Sequence, residues 1–140
     1  MAGDTTILGY GLVTPFRRGA NDFVSGGGVE VVRSAVRTIL GCVCAGPDTQ
    51  GELRFNQRLG TLLTHVRHGN LDDPVTNELV RYYVVDALRD NEPRVRVRRF
   101  RVLRDRPAMK LTIKVVYDVI DRDVPGNRVI ATGLEEEVTV

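Results

Sequence analysis

A chain of 140 residues suits one domain that buries roughly two-thirds of its unfolded surface, and it is short for two. With 42% hydrophobic and 27% charged residues it has an ordinary globular balance, and no run approaches the about 18 apolar residues of a bilayer crossing. A net charge of +2 does not by itself argue for nucleic acid, and the opening MAGDTTILGYG lacks the basic start and apolar centre of a secretory leader, so folding in the cytoplasm is expected.

The first 28 residues are glycine-rich, with short apolar runs, and read as an extended arm. Neither GYG nor SGGG has the spacing, the preceding strand or the following lysine of a phosphate-binding loop. A first helix follows in VEVVRSAVRTILGCV, where Val29, Val32, Val36, Ile39, Leu40 and Val43 recur at helical spacing and Arg33 and Arg37 share the polar side. Gly46-Pro47 stops it. Cys42 and Cys44 are too close in sequence for an ordinary disulfide and too few for a zinc site, so they are read as buried free thiols.

Leu59, Leu62, Leu63 and Val66 in FNQRLGTLLTHVRHG give a second apolar stripe, expected as a helix ending at Gly69. His65 and His68 stand three residues apart within it, but no acidic or thiol partner follows at a ligand spacing, so no metal site is expected. A third start is marked by Asp72 or Asp73 as cap and Pro74 in the first turn. Val75, Leu79, Tyr82, Tyr83 and the run from Val85 to Leu88 predict a largely buried helix, which ends before Pro93.

Beyond Pro93 the period changes to two. RVRVRRFRV alternates through Val95 and Val97, then changes parity at Arg98-Arg99 to Phe100 and Val102, which predicts a bulge. Met109, Leu111, Ile113, Val115, Tyr117 and Val119 mark one face of a second strand, DVPGN a turn, and RVIATGLEEEVTV a third strand. The expected architecture is therefore α+β: one domain over residues 1–140, with three helices followed by a three-stranded antiparallel meander.

The basic residues are uneven. Of twenty, only Lys110 and Lys114 are lysines, and seven arginines fall between Arg94 and Arg106. Arg94, Arg96 and Arg98 share a strand face, which could be a solvated surface, a docking face for protein, or a nucleic-acid groove. Glu52, Asp72, Asp73 and Glu92 flank the helices as carboxylates for acid–base work, but the chain has no tryptophan to stack against sugar rings.

Four blocks, LGYGLVTPF, GVEVVRSAVRTIL, GELRFNQRLGTLL and ALRDNEPRVRVRRFRV, resemble in order and spacing the baseplate wedge and sheath-initiator proteins of contractile phage tails. Homologues in that family serve type VI secretion baseplates and phage-tail-like injection particles, and its members carry a historical lysozyme-like label. The resemblance spans about Leu8 to Val102, with Glu92-Pro93-Arg94 its most specific element; the chain departs from the family in having Leu53 where many members have arginine. It implies a structural, non-enzymatic protein without cofactor or metal. Glu92, Pro93 and Arg94 would contact the core bundle of wedge proteins, with Arg96 and Arg98 beside them. The last strand, through Val129, Ile130, Val138 and Val140, would pair with strands from the first sheath ring, a β-augmentation. Glu135, Glu136 and Glu137 would discourage indiscriminate pairing at that edge. The partners implied are sheath subunits and wedge proteins, with the inner tube or spike hub as further contacts, in a six-fold assembly built in the cytoplasm and carried by a tail-like particle. Membranes and nucleic acid are not expected among them. Two other functions compete: a muramidase with Glu52 or Glu92 as acid, and a nucleic-acid module using the Arg94 to Arg106 face.

Overall fold

Alternation decides the sheet. In the computed structural model, which describes residues 8–14, 18–20, 23–66, 73–126 and 128–140, three long strands run antiparallel in the order β3 (Val95–Asp105), β4 (Lys110–Asp121) and β5 (Arg128–Thr139). The central strand β4 sends Leu111, Ile113, Val115, Tyr117 and Val119 into the core, each stabilising the fold by roughly 1.5–3 kcal/mol on burial. Two helices cover that face: α1 (Val29–Gly41) lies against β5, α2 (Pro74–Asn91) against β3, and the helices pack on each other. The opposite face carries Arg99, Arg101 and Leu103 from β3 and Glu135 and Glu137 from β5, all exposed.

The sheet is bulged on both outer strands. The β3–β4 register shifts between Val97 and Arg99, the slip that the parity change predicts, so Val97 and Phe100 both reach the core side. On β5 the register shifts opposite Asp118, where Gly133 takes φ 68°, a left-handed conformation that suits glycine. The buried Asp118 carboxylate serves the two shifts beside it, accepting from Arg98 Nε on one side and from the Gly133 N–H at 3.2 Å on the other; a further β4–β5 shift follows between Val119 and Ile120.

The expected three helices followed by a meander are corrected. The described residues form two α-helices and five strands in two sheets. The additional sheet is a hairpin of β1 (Tyr10–Leu12) and β2 (Ser25–Gly27), set against α1. Thr14 N–H donates to the buried Ser34 hydroxyl of α1 at 2.7 Å beside it.

The missing helix is the middle one. Its apolar stripe does reach the core through Leu59, Leu63 and Val66, but among the described residues the only helical turn there is a 3-10 segment at Leu63–Val66, and the expected end at Gly69 lies outside them. The backbone is held elsewhere: Thr61 N–H donates to Cys42 O at 2.9 Å, Cys44 N–H to Thr61 O at 3.2 Å, and Ala45 N–H to Gln57 O at 2.7 Å. Those pairings use groups that a helix would need for itself. Gly60 fits the crossing because a Cβ at its φ of 122° would lie 2.5 Å from Cys42 O. The same crossing stops α1 at Gly41, leaving Val43 outside it.

α2 starts as expected, with Asp73 as cap accepting from Val75 N–H at 3.0 Å and Pro74 in the first turn. Its facing differs from expectation. Val80, Val84, Ala87 and Leu88 are buried, whereas Val75, Leu79 and Tyr82 are exposed. Met109 is exposed too, because the β3–β4 turn places it at φ 51° outside the strand.

Candidate docking surfaces

The Glu92-Pro93-Arg94 elbow is built by opposing demands. Glu92 caps α2, its N–H still donating to Leu88 O at 2.8 Å, and Pro93 prevents another helical turn. Val95 N–H then donates to Glu92 O at 3.1 Å, and Ile120 N–H to Arg94 O at 2.8 Å, which launches β3. Glu92 is only 4% exposed. Arg94 holds its carboxylate in a bidentate fork, Nε to Oε1 and Nη2 to Oε2 both at 2.6 Å. The third arm, Nη1, donates to Leu8 O at 2.7 Å and fastens the N-terminal segment to the elbow. Hydrogen bonding to Glu92 raises the Arg94 pKa above its ordinary value, against the opposing effect of burial. Pro93 stands exposed at the apex.

Along β3 the basic run divides. Arg96, Arg99 and Arg101 are exposed; Arg98 reaches Asp118, and Arg104 donates to Asn77 Oδ1 on α2. On β5, Val129 is exposed, while Ile130 and Val138 are half-buried against the core, as is Val140 just past the strand, paired with Leu111. Among the described residues β5 pairs with β4 alone, so its other backbone edge is open.

One arrangement on β5 was not legible beforehand. Glu135 and Glu137 point outward beside Lys114 Nζ, at 3.8 and 3.3 Å. Glu136 points inward and is buried, taking Arg33 Nε on Oε1 at 2.9 Å and Arg37 Nε on Oε2 at 2.8 Å. Period two sends the middle of three consecutive glutamates to the core face, and Arg33 and Arg37, one helical turn apart, meet it there. Tyr117 lies beneath with its hydroxyl lacking a hydrogen bond of normal geometry; burial first, and the nearby Glu136 charge second, push its pKa far up.

The competing chemistries find little to work with. A general acid must present its carboxyl to a substrate, yet both oxygens of Glu92 are engaged by Arg94. Glu52 is exposed and accepts from Val43 N–H at 3.2 Å. His65 Nε2 pairs with the Thr49 hydroxyl at 3.1 Å, and His68 lies outside the described residues. Among the described residues no group of three histidines, cysteines or acids could hold a metal ion, and no helix is long and apolar enough to cross a membrane. Cys42 and Cys44 are free thiols, half-buried, with pKa values raised by burial.

No protein-family model matches the chain, and no curated protein does. Solved structures do. A chain of the six-fold symmetrised baseplate of the anti-feeding prophage superposes with a TM-score of 0.67 at 17% identity, covering 79% of this chain and 84% of that one. A candidate tail lysozyme from Geobacter sulfurreducens superposes with a TM-score of 0.60 at 22% identity, covering 84% of this chain and 93% of that one. The chain therefore shares its fold with a chain of the anti-feeding prophage baseplate and with a candidate tail lysozyme, in keeping with the resemblance carried by its four sequence blocks.

Proposed function

We propose that this chain is a structural baseplate component of a phage tail-like contractile particle, docking on the wedge and starting the sheath. The observation that carries this reading is the fold shared with a baseplate chain of the anti-feeding prophage. Two features of the surface support the finer roles. The elbow presents Pro93 on a braced turn, with Arg96 beyond it on β3, a rigid and basic contact for wedge proteins. The open edge of β5, which runs from Val129 and Ile130 towards Val138, offers main-chain groups to a sheath strand; Val140 lies just past it, with its own N–H and C=O paired to Leu111. Sheath subunits supply the contracting element, and this chain anchors and registers them. It enters the particle during assembly in the cytoplasm. The muramidase reading gains nothing from Glu92, whose carboxylate is a brace.

The test is co-purification with the proteins encoded beside it. Because Glu92 and Arg94 also hold the fold, Arg96→Glu is the cleaner probe, as Arg96 is exposed on the strand. Wild type is expected to retain wedge and sheath partners and Arg96→Glu to lose the wedge while melting normally. Retention of neither partner by wild type, or cell-wall cleavage by the purified chain, overturns the proposal.

A further inference from the structure

The loop that replaces the expected middle helix ends in an unusual object. Phe55 is fully exposed at the tip of a turn closed by Asn56 N–H to Leu53 O at 3.2 Å. The turn is not loose. The Gln57 side chain ties it from inside, with Nε2 donating to the same Leu53 oxygen at 3.0 Å and Oε1 accepting from Gly51 N–H at 2.7 Å. Gln57 O accepts from Ala45 N–H at 2.7 Å, and Glu52 N–H donates to Val43 O at 2.8 Å, so the tip is riveted to the strand-like passage after α1. A phenylalanine presented to water on a tied backbone turn costs solvation and gains no packing in return. A preorganised aromatic on a fixed turn is the form of an interface anchor, because little conformational entropy remains to be lost on docking.

We infer that the Leu53–Asn56 turn is a second docking surface, in which Phe55 enters an apolar pocket of a different assembly protein whose rim is acidic. The apolar part comes from Phe55 with the exposed Leu53 beside it. The acidic rim follows from Arg54 and Arg58, which flank Phe55, are both exposed, and form no ion pair within the described chain. A second copy of this chain is a poor fit. Its groove between α2 and β3 holds Arg81, Arg89 and Arg99 with Glu78 and Asp86; Arg89 already engages Asp86 at 2.8 Å, and Arg98 is taken by Asp118. That rim is not the acidic one that Arg54 and Arg58 require. The inference rests on the baseplate reading for the existence of an assembly, and adds to it a surface on another part of the fold from the elbow and the β5 edge.

Photo-crosslinking separates the two. The chain is co-expressed with the proteins encoded beside it, carrying p-benzoylphenylalanine in place of either Phe55 or Arg96, and adducts are mapped by mass spectrometry. Adducts from position 55 on apolar residues of another protein, with two or more carboxylates around them, are expected. Adducts on a second copy of this chain, or adducts from position 96 with none from position 55, overturn the inference and leave the proposed function standing. Absence of adducts from both positions overturns both. With the captured partner in hand, Phe55→Ser should weaken binding by roughly 30-fold or more while the melting temperature stays unchanged. Arg54→Glu with Arg58→Glu should slow association and remove its salt sensitivity. Equal binding by Phe55→Ser and wild type also overturns the inference.

Discussion

Glu92 and Glu136 are both buried carboxylates held by arginine, yet they do different work. Glu92 is bound by a residue two positions away, and the pair shapes a turn. Glu136 is bound by Arg33 and Arg37, 103 and 99 positions away, and that cluster joins the last strand to the first helix. The local pair spends little chain entropy and orients an elbow; the distant one closes a long loop and must be offset by the packing around it. Neither arrangement is strong evidence of net stability, because desolvating the charges opposes their attraction. What the contrast teaches is that a missing partner is costly in proportion to how little water can replace it. At Glu136 the carboxylate is 8% exposed while its arginines are 38% and 44% exposed, so the burden of a broken cluster falls on the acid.

The largest effect should come from stranding that acid. Arg33→Ala with Arg37→Ala is expected to lower stability by about 3 kcal/mol, the range for an uncompensated buried charge. Replacing the cluster as a whole, Arg33→Met, Arg37→Met and Glu136→Leu, should recover most of the loss. Denaturant unfolding of both variants checks this; equal destabilisation would mean that the charges, and not only their pairing, sustain the α1–β5 contact. Next in size is Glu92→Gln, expected to cost roughly 1–2 kcal/mol as a charge-assisted fork becomes a neutral bond. Its signature should be local: faster amide exchange over residues 8–12, since Arg94 also fastens Leu8. Uniformly faster exchange across the sheet would instead place Glu92 in the global core and erase the contrast with Glu136.

The same contrast explains what could be read in advance. β4, the bulge at Arg98-Arg99 and the Asp73-Pro74 start are written in consecutive residues, where period, parity and capping act locally. The Glu92 elbow is local as well, and its residues stand out in the sequence even though their mutual pairing does not. The middle helix failed as an expectation because its apolar spacing satisfied two structures. Only the distant backbone of Cys42–Ala45, which pairs with Gln57 and Thr61, decides against the helix. Glu136 was read as one of three edge charges for a similar reason: its partners lie on α1. The exposed facing of Val75, Leu79 and Tyr82 depends on how α2 rotates against β3, which spacing alone leaves open.

Tyr117 offers a smaller effect with a distinctive pH dependence. Its hydroxyl is buried without a normal hydrogen bond, so Tyr117→Phe should be neutral or stabilising by up to about 1 kcal/mol near pH 7. The folded pKa is raised, so the unfolded chain loses this proton first. The associated stability is complete below the unfolded value, near 10, and declines as pH rises from there towards the folded value. Cys42 and Cys44, also raised, add a slope of the same sign that starts lower. Denaturant titrations between pH 8 and 11 should therefore show wild type losing stability throughout, with Tyr117→Phe removing the portion above about 10. An unchanged slope in the variant would mean that the Tyr117 phenolate is as well accommodated in the fold as in water.

The outward face of the same strand supplies the smallest effect and the sharpest control. Lys114 lies 3.8 Å from Glu135 and 3.3 Å from Glu137, opposite in charge and close in distance, much as Arg33 and Arg37 meet Glu136. What differs is water: both glutamates are about half exposed. Solvent already screens such pairs, and ordering the side chains consumes most of what attraction remains. Lys114→Ala should therefore shift stability by no more than about 0.5 kcal/mol, with the shift vanishing in high salt. A loss comparable to the Arg33/Arg37 variant would mean that charge sign and distance, with burial contributing little, govern both faces of β5. A negligible loss leaves burial as the property that turns an ordinary ion pair into a structural joint.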